Sequence, residues 1–149
     1  MVNFVDEDYL KYDCMSFWGS NKRYDKYKEQ RNKLQSVITS NVESDNDNDI
    51  VVNYDSYVDR TEEYSDNTSL MLLRVLQRIG INSYYIAGFD GFSENGSYFK
   101  TNEFDEGRFR PKYAEINNAI KKQLRNFADS VGDTSKIKFI TPSLFENIF

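Results

Sequence analysis

Ser65-Asp66-Asn67-Thr68-Ser69-Leu70-Met71-Leu72-Leu73-Arg74-Val75-Leu76-Gln77-Arg78-Ile79-Gly80, followed by Ile81-Asn82-Ser83-Tyr84-Tyr85-Ile86-Ala87-Gly88, is the best-specified stretch of the chain. Ser65 or Asp66 can cap a helix here, because a short oxygen-bearing side chain accepts hydrogen bonds from the first helical amides. Leu72, Val75, Leu76 and Ile79 recur at a spacing that lines one helical face. Leu70 and Leu73 widen that face until most of the helix must be buried. Gly80 supplies the left-handed residue that ends it. Ser83 to Gly88 then reads as a strand. Helix, glycine stop and strand in immediate succession form the αβ half of a βαβ unit.

The same alternation extends in both directions. Towards the C-terminus, Phe92 to Gly107 reads as an excursion or small hairpin around the tight-turn pair Asn95-Gly96. Pro111 opens a second long helix, with the stripe Tyr113, Ile116, Ile120, Leu124, Phe127 and Val131, closed by Gly132. Lys136 to Ile140 is a strand, and Thr141-Pro142 caps a short terminal helix carrying Leu144, Phe145 and Ile148. Towards the N-terminus, strands are expected at Asp13 to Trp18, Leu34 to Ser40 and Ile50 to Asn53. Arg23 to Lys33 is charged without a clean apolar stripe, so an exposed helix or loop is expected there. Tyr54 to Tyr64 reads as a charged connector with room for a helical turn. Strands alternating with helices imply a mainly parallel sheet covered on both faces. The expected fold is therefore a single Rossmann-like three-layer α/β domain over residues 1–149.

Bulk composition fits one core. The chain has 149 residues, 39% hydrophobic and 29% charged, with 11 Tyr, 11 Phe and 1 Trp supplying much of the burial capacity. The net charge of -5 offers no basic stripe, which argues against a nucleic-acid partner and against an anionic membrane surface. A small anionic ligand in a locally positive pocket remains compatible with that charge. Cys14 is the only cysteine, which excludes an internal disulfide and fits a reducing, cytoplasmic setting. No run approaches the roughly 18 apolar residues of a membrane span, and no signal-peptide pattern opens the chain. The sequons at Asn67 and Asn95 are then accidents of composition.

The chain has no histidine. Ser-His-Asp and Cys-His catalysis, histidine general bases and the common zinc sites are all excluded by that count. Chemistry here would have to run on carboxylates, Lys, Arg, Tyr or backbone dipoles.

Ligands of open α/β sheets sit at the carboxyl ends of the strands, where helix N-termini also point. Polar clusters at such places are Ser20-Asn21-Lys22-Arg23, Thr39-Ser40-Asn41, Ser65-Asp66-Asn67 and Gly88-Phe89-Asp90-Gly91. The candidate ligand-binding residues are Asn21, Lys22, Arg23, Asn41, Ser65, Asp66, Asn67 and Asp90. Together they offer amides, a basic pair and carboxylates, a mixture suited to the base, ribose or phosphate of a nucleotide-like molecule. Ser65 and Asp66 could equally serve only as caps, the glycines only as strand exits, and Lys22 and Arg23 only as a solvated pair.

Asp45-Asn46-Asp47-Asn48-Asp49 fails as a calcium loop. Read from Asp45, the sixth position is Ile50 instead of Gly and the twelfth is Ser56 instead of Glu. Its Asp-x-Asp triplets occur in metal-dependent glycosyltransferases, but a solvated acidic turn is the plainer reading. Cys14 reads as a core residue, and the tyrosines at 54/57 and 84/85 as packing.

Tyr64-Ser65-Asp66-Asn67 through Leu70-Met71-Leu72-Leu73, Leu76 and Gly80, then Ile86-Ala87-Gly88-Phe89-Asp90-Gly91-Phe92, resembles a C-terminal module. It is the module that follows the barrel of aldolases related to 4-hydroxy-2-oxovalerate aldolase and hydroxymethylglutaryl-CoA lyase. Ser20-Asn21-Lys22-Arg23-Tyr24, Ile38-Thr39-Ser40-Asn41 and Phe139-Ile140-Thr141-Pro142-Ser143 are similar to the same module. More distantly, the order of elements is similar to CMP-sialic-acid-dependent sialyltransferases and to domains like pterin pyrophosphokinases. In those relatives a first strand and a Gly-Pro-Ser type loop precede the region matching Asn3 to Asp13, so the fold here is expected to lack its first strand. The sialyltransferase-like catalytic histidine has no counterpart in this chain.

The aldolase resemblance implies a C-terminal fragment of a longer aldolase-like protein, with its own N-terminal barrel domain as partner. It implies no catalytic residue and no cofactor in this piece, and a divalent metal in the barrel. The role implied is an accessory one, ligand binding or assembly. The alternative is a nucleotide- or nucleotide-sugar-binding domain, with Ser65, Asp66, Asn67 and Asp90 lining the pocket and Lys22 or Arg23 neutralising phosphate. A homo-oligomerisation module is a third reading.

Overall fold

A computed structural model of the chain describes residues 14–64, 66–93 and 112–148. Ser65, Pro111, the Asn95-Gly96 turn and the region from Asn3 to Asp13 lie outside the described residues. By internal contacts the described chain forms two compact units, one of residues 14–58 and 66–72, the other of 59–64, 73–93 and 112–148.

In the first unit β1 (Met15–Trp18), β2 (Gln35–Thr39) and β3 (Ile50–Val52) form a parallel sheet in the order β1-β2-β3. Trp18 lies beside Ile38, and Ile38 beside Val51. Neighbouring strand residues point to opposite faces, and Phe17 and Trp18 are both buried. Both faces of β1 are therefore covered, as the near-continuous apolar run of a parallel strand requires.

Two short helices, α1 (Asn21–Lys26) and α2 (Lys28–Arg31), connect β1 to β2. Arg23 to Lys33 is thus helical except for turns at Tyr27 and at Asn32-Lys33, but it is not simply an exposed segment, because Tyr24 and Arg31 are fully buried. Tyr24 and Tyr27 meet Trp18 edge-on and stacked, at 6.2 and 6.1 Å between ring centroids. These aromatics do the work that an aliphatic stripe does in longer helices. Beneath them Trp18 Nε1 donates to Ser16 Oγ at 2.8 Å, and the Ser16 and Ser36 hydroxyls are hydrogen-bonded at 2.8 Å. The buried indole N–H and both buried hydroxyls are thereby partnered.

In the second unit β4 (Tyr84–Ile86) and β5 (Ile137–Phe139) pair in parallel. The long helix α4 (Tyr113–Val131) buries Tyr113, Ile116, Ile120, Leu124 and Phe127 of the predicted stripe, with Ala119, Gln123 and Ala128 beside them, while Val131 at its end is half-buried. Phe127 meets Tyr84 edge-on at 5.2 Å between ring centroids. Gly132 ends the helix at φ 81°. Asn117 of α4 grips the chain at Phe92, accepting from its N–H at 3.0 Å and donating to its C=O at 2.8 Å.

Helix α3 (Thr68–Arg78) is the one the leucine-rich stretch predicts, with two differences. Its buried residues are Leu70, Met71, Leu73 and Val75; Leu72 and Leu76 of the expected stripe are only half-buried, and Ile79 falls just past the helix end and is exposed. Its cap is Asn67, whose Oδ1 accepts from the Ser69 and Leu70 amides at 3.0 and 3.1 Å. A cap must directly precede the first helical residue, and with the helix starting at Thr68 that position is Asn67, not Ser65 or Asp66.

The terminal helix does not form. Residues 144–147 are turns: Leu144 N–H donates to the Asp90 carbonyl at 3.0 Å and Phe145 N–H to Ser143 Oγ at 3.1 Å, while the Glu146 and Ile148 amides reach back only three residues, to the Ser143 and Phe145 carbonyls at 3.5 and 3.2 Å. Phe145 is still buried, whereas Leu144 is exposed. Tyr84 packs as expected, and Tyr85 does not, being 67% exposed. Among the described residues the parallel strands form these two separate sheets, a mixed α/β arrangement.

Candidate functional site

The first unit brings Ser20 to Arg23, Thr39 to Asn41 and the Asp66-Asn67 part of a third polar cluster to neighbouring positions near the carboxyl ends of its parallel strands. Gly19, directly after β1, lies so close to the start of α3 that a Cβ there would sit 2.9 Å from Thr68 Oγ1 and 2.9 Å from Met71 Cε. A side chain at this position would force Thr68 or Met71 to shift. Asn41, just past β2, donates from Nδ2 to the Gly19 carbonyl at 3.2 Å. Asn21 Oδ1 accepts from the Glu43 amide at 2.8 Å. Ser40 N–H donates to Val52 O at 2.8 Å, and Ser40 Oγ accepts from the Tyr54 amide at 3.1 Å. Each strand exit is thus stitched to its neighbour by a short polar side chain.

These bonds define what the candidate residues do. Asn21 and Asn41 tie loops together, and Asn67 caps α3. Lys22 and Asp66 are exposed, and Arg23 is half-buried. Asp90 belongs to the second unit, where it too is exposed. In its neighbourhood Gly88 and Gly91 adopt φ 66° and 88°, which favours glycine at both. Gly88 N–H donates to Thr141 Oγ1 at 2.8 Å, and Ser143 Oγ donates to the Phe89 carbonyl at 2.6 Å. The β4 and β5 exits are therefore fastened by Thr141 and Ser143.

A buried, many-bonded arginine has no clear signature in the sequence. Arg31 is 1% exposed. Its Nε donates to the Tyr24 carbonyl and its Nη1 to the Tyr24 hydroxyl, each at 3.0 Å. Its Nη2 meets Asp45 Oδ1 at 2.6 Å. Lys28 holds the other Asp45 oxygen at 2.5 Å. The Lys28 and Arg31 hydrogen bonds bring the Asp45 carboxyl down to about 2. The Tyr24 hydroxyl donates to Asp49 Oδ2 at 2.5 Å, and burial, followed by this carboxylate, raises its pKa.

The acidic run is thus not a freely solvated turn, because Asp45 and Asp49 anchor it to a buried arginine and tyrosine. The chemistry of the cluster is charge neutralisation within the fold. The only hint in the sequence is an acidic run lying close to an Arg/Lys-rich segment.

Among the described residues no group of three or more His, Cys, Asp or Glu side chains is arranged to hold a metal ion. Among them, too, no helix is long and apolar enough to cross a membrane. Comparison with protein families, with curated proteins and with solved structures finds no match to this chain.

Proposed function

We propose that the chain is an accessory domain, for ligand binding or assembly, of an aldolase-like lyase, and not itself an aldolase active site. The ligand surface in this reading is the carboxyl rim of β1-β2-β3, and the ligand is a small anionic or nucleotide-like molecule. The observation that carries it is the convergence of the β1 exit, the β2 exit and the capped start of α3, with Gly19 in close approach to Thr68. Parallel α/β sheets bind ligands at such carboxyl edges. In this reading Lys22, an exposed cation in the first turn of α1, meets the anion. The Rossmann-like three-layer arrangement with a missing first strand belongs to the same proposal, as do a cytoplasmic setting and a barrel domain as partner. The likeness of Tyr64 to Leu73 and Ile86 to Phe92 to the aldolase C-terminal module supports that part.

Calorimetric titration with CMP, ATP and inorganic phosphate, repeated on Lys22→Ala, tests the ligand reading. Heat that Lys22→Ala weakens severalfold is the expected result. No heat from any of the three compounds overturns the ligand reading and leaves assembly. The lyase connection is tested by the coding sequence upstream of Met1, where a barrel with metal-ligand histidines is expected and its absence removes the connection.

A further inference from the structure

We draw no further inference here: the strongest candidate, the apolar edge of the three-stranded sheet where Ile50 and Val51 of β3 are exposed, carries nothing because nothing in the structure shows what covers it.

Discussion

The Arg31 guanidinium lies over the Tyr24 ring, its Cζ 3.7 Å from the ring centroid, and the same arginine donates to both the carbonyl and the hydroxyl of that tyrosine. One buried residue therefore ties α1, α2 and the acidic loop together.

Replacing Arg31 with Ala is expected to lower stability by about 2–4 kcal/mol, through lost packing and a buried Tyr24 carbonyl left without its donor. Arg31→Lys should fall in between, because an ammonium keeps the charge but not the planar fork. Urea unfolding midpoints measure both. An Arg31→Ala midpoint equal to that of the parent chain would show that the cluster contributes nothing.

Asp45 makes the stability depend on pH in the acid range. Its carboxyl lies at about 2 in the folded chain against a reference value of 3.8. Above 3.8 it is ionised in both folded and unfolded states, and its contribution is fully present. Between 3.8 and about 2 the unfolded chain takes up a proton that the folded chain refuses, so stability falls with pH, and below about 2 the contribution is gone. Asp45→Asn should flatten that part of the stability profile, as measured by denaturant unfolding at pH 5, 4, 3 and 2. A profile as steep in the variant as in the parent would assign the acid sensitivity to other carboxylates.

Gly19→Ala places a methyl 2.9 Å from Thr68 Oγ1 and from the end of the buried Met71 side chain. Overpacking of this kind costs about 1–3 kcal/mol. Thr68→Ala in the same chain should recover part of the loss, since it removes one of the two clashing atoms. If the double variant shows no recovery in thermal unfolding, the clash lies elsewhere.

Asn67→Ala should cost about 1 kcal/mol through loss of the α3 cap. Asn67→Asp should retain most of it. Asp66→Ala, at an exposed position outside the cap, should stay within about 0.5 kcal/mol of the parent. Equal losses for Asp66→Ala and Asn67→Ala in chemical denaturation would move the cap off Asn67.

Much of the secondary structure was legible from local pattern. Gly80 and Gly132 stop α3 and α4 in left-handed conformations, and the stripe from Tyr113 to Phe127 is buried as its spacing predicts. The strand assignments held within a residue or two at most ends because β-branched and aromatic runs bounded by polar turns carry a local signal. Parallel pairing of β1 with β2 and of β4 with β5 was legible because helices separate those strands, whereas β2 and β3 pair in parallel across the helix-free loop 40–49, which no local pattern marks.

The sequence by itself therefore determined where the strands and the two long helices lie, though not the turns at 144–147, and its lack of histidine removes histidine-based catalysis from this chain. Only the tertiary structure decided the role of each polar side chain. Nothing local marks Arg31 as buried or Leu144 as exposed, and nothing local tells that Asn41 reaches the Gly19 carbonyl. Periodicity reports conformation over one or two turns of chain. A buried polar group is instead settled by partners distant in sequence, which desolvate it and must then satisfy it.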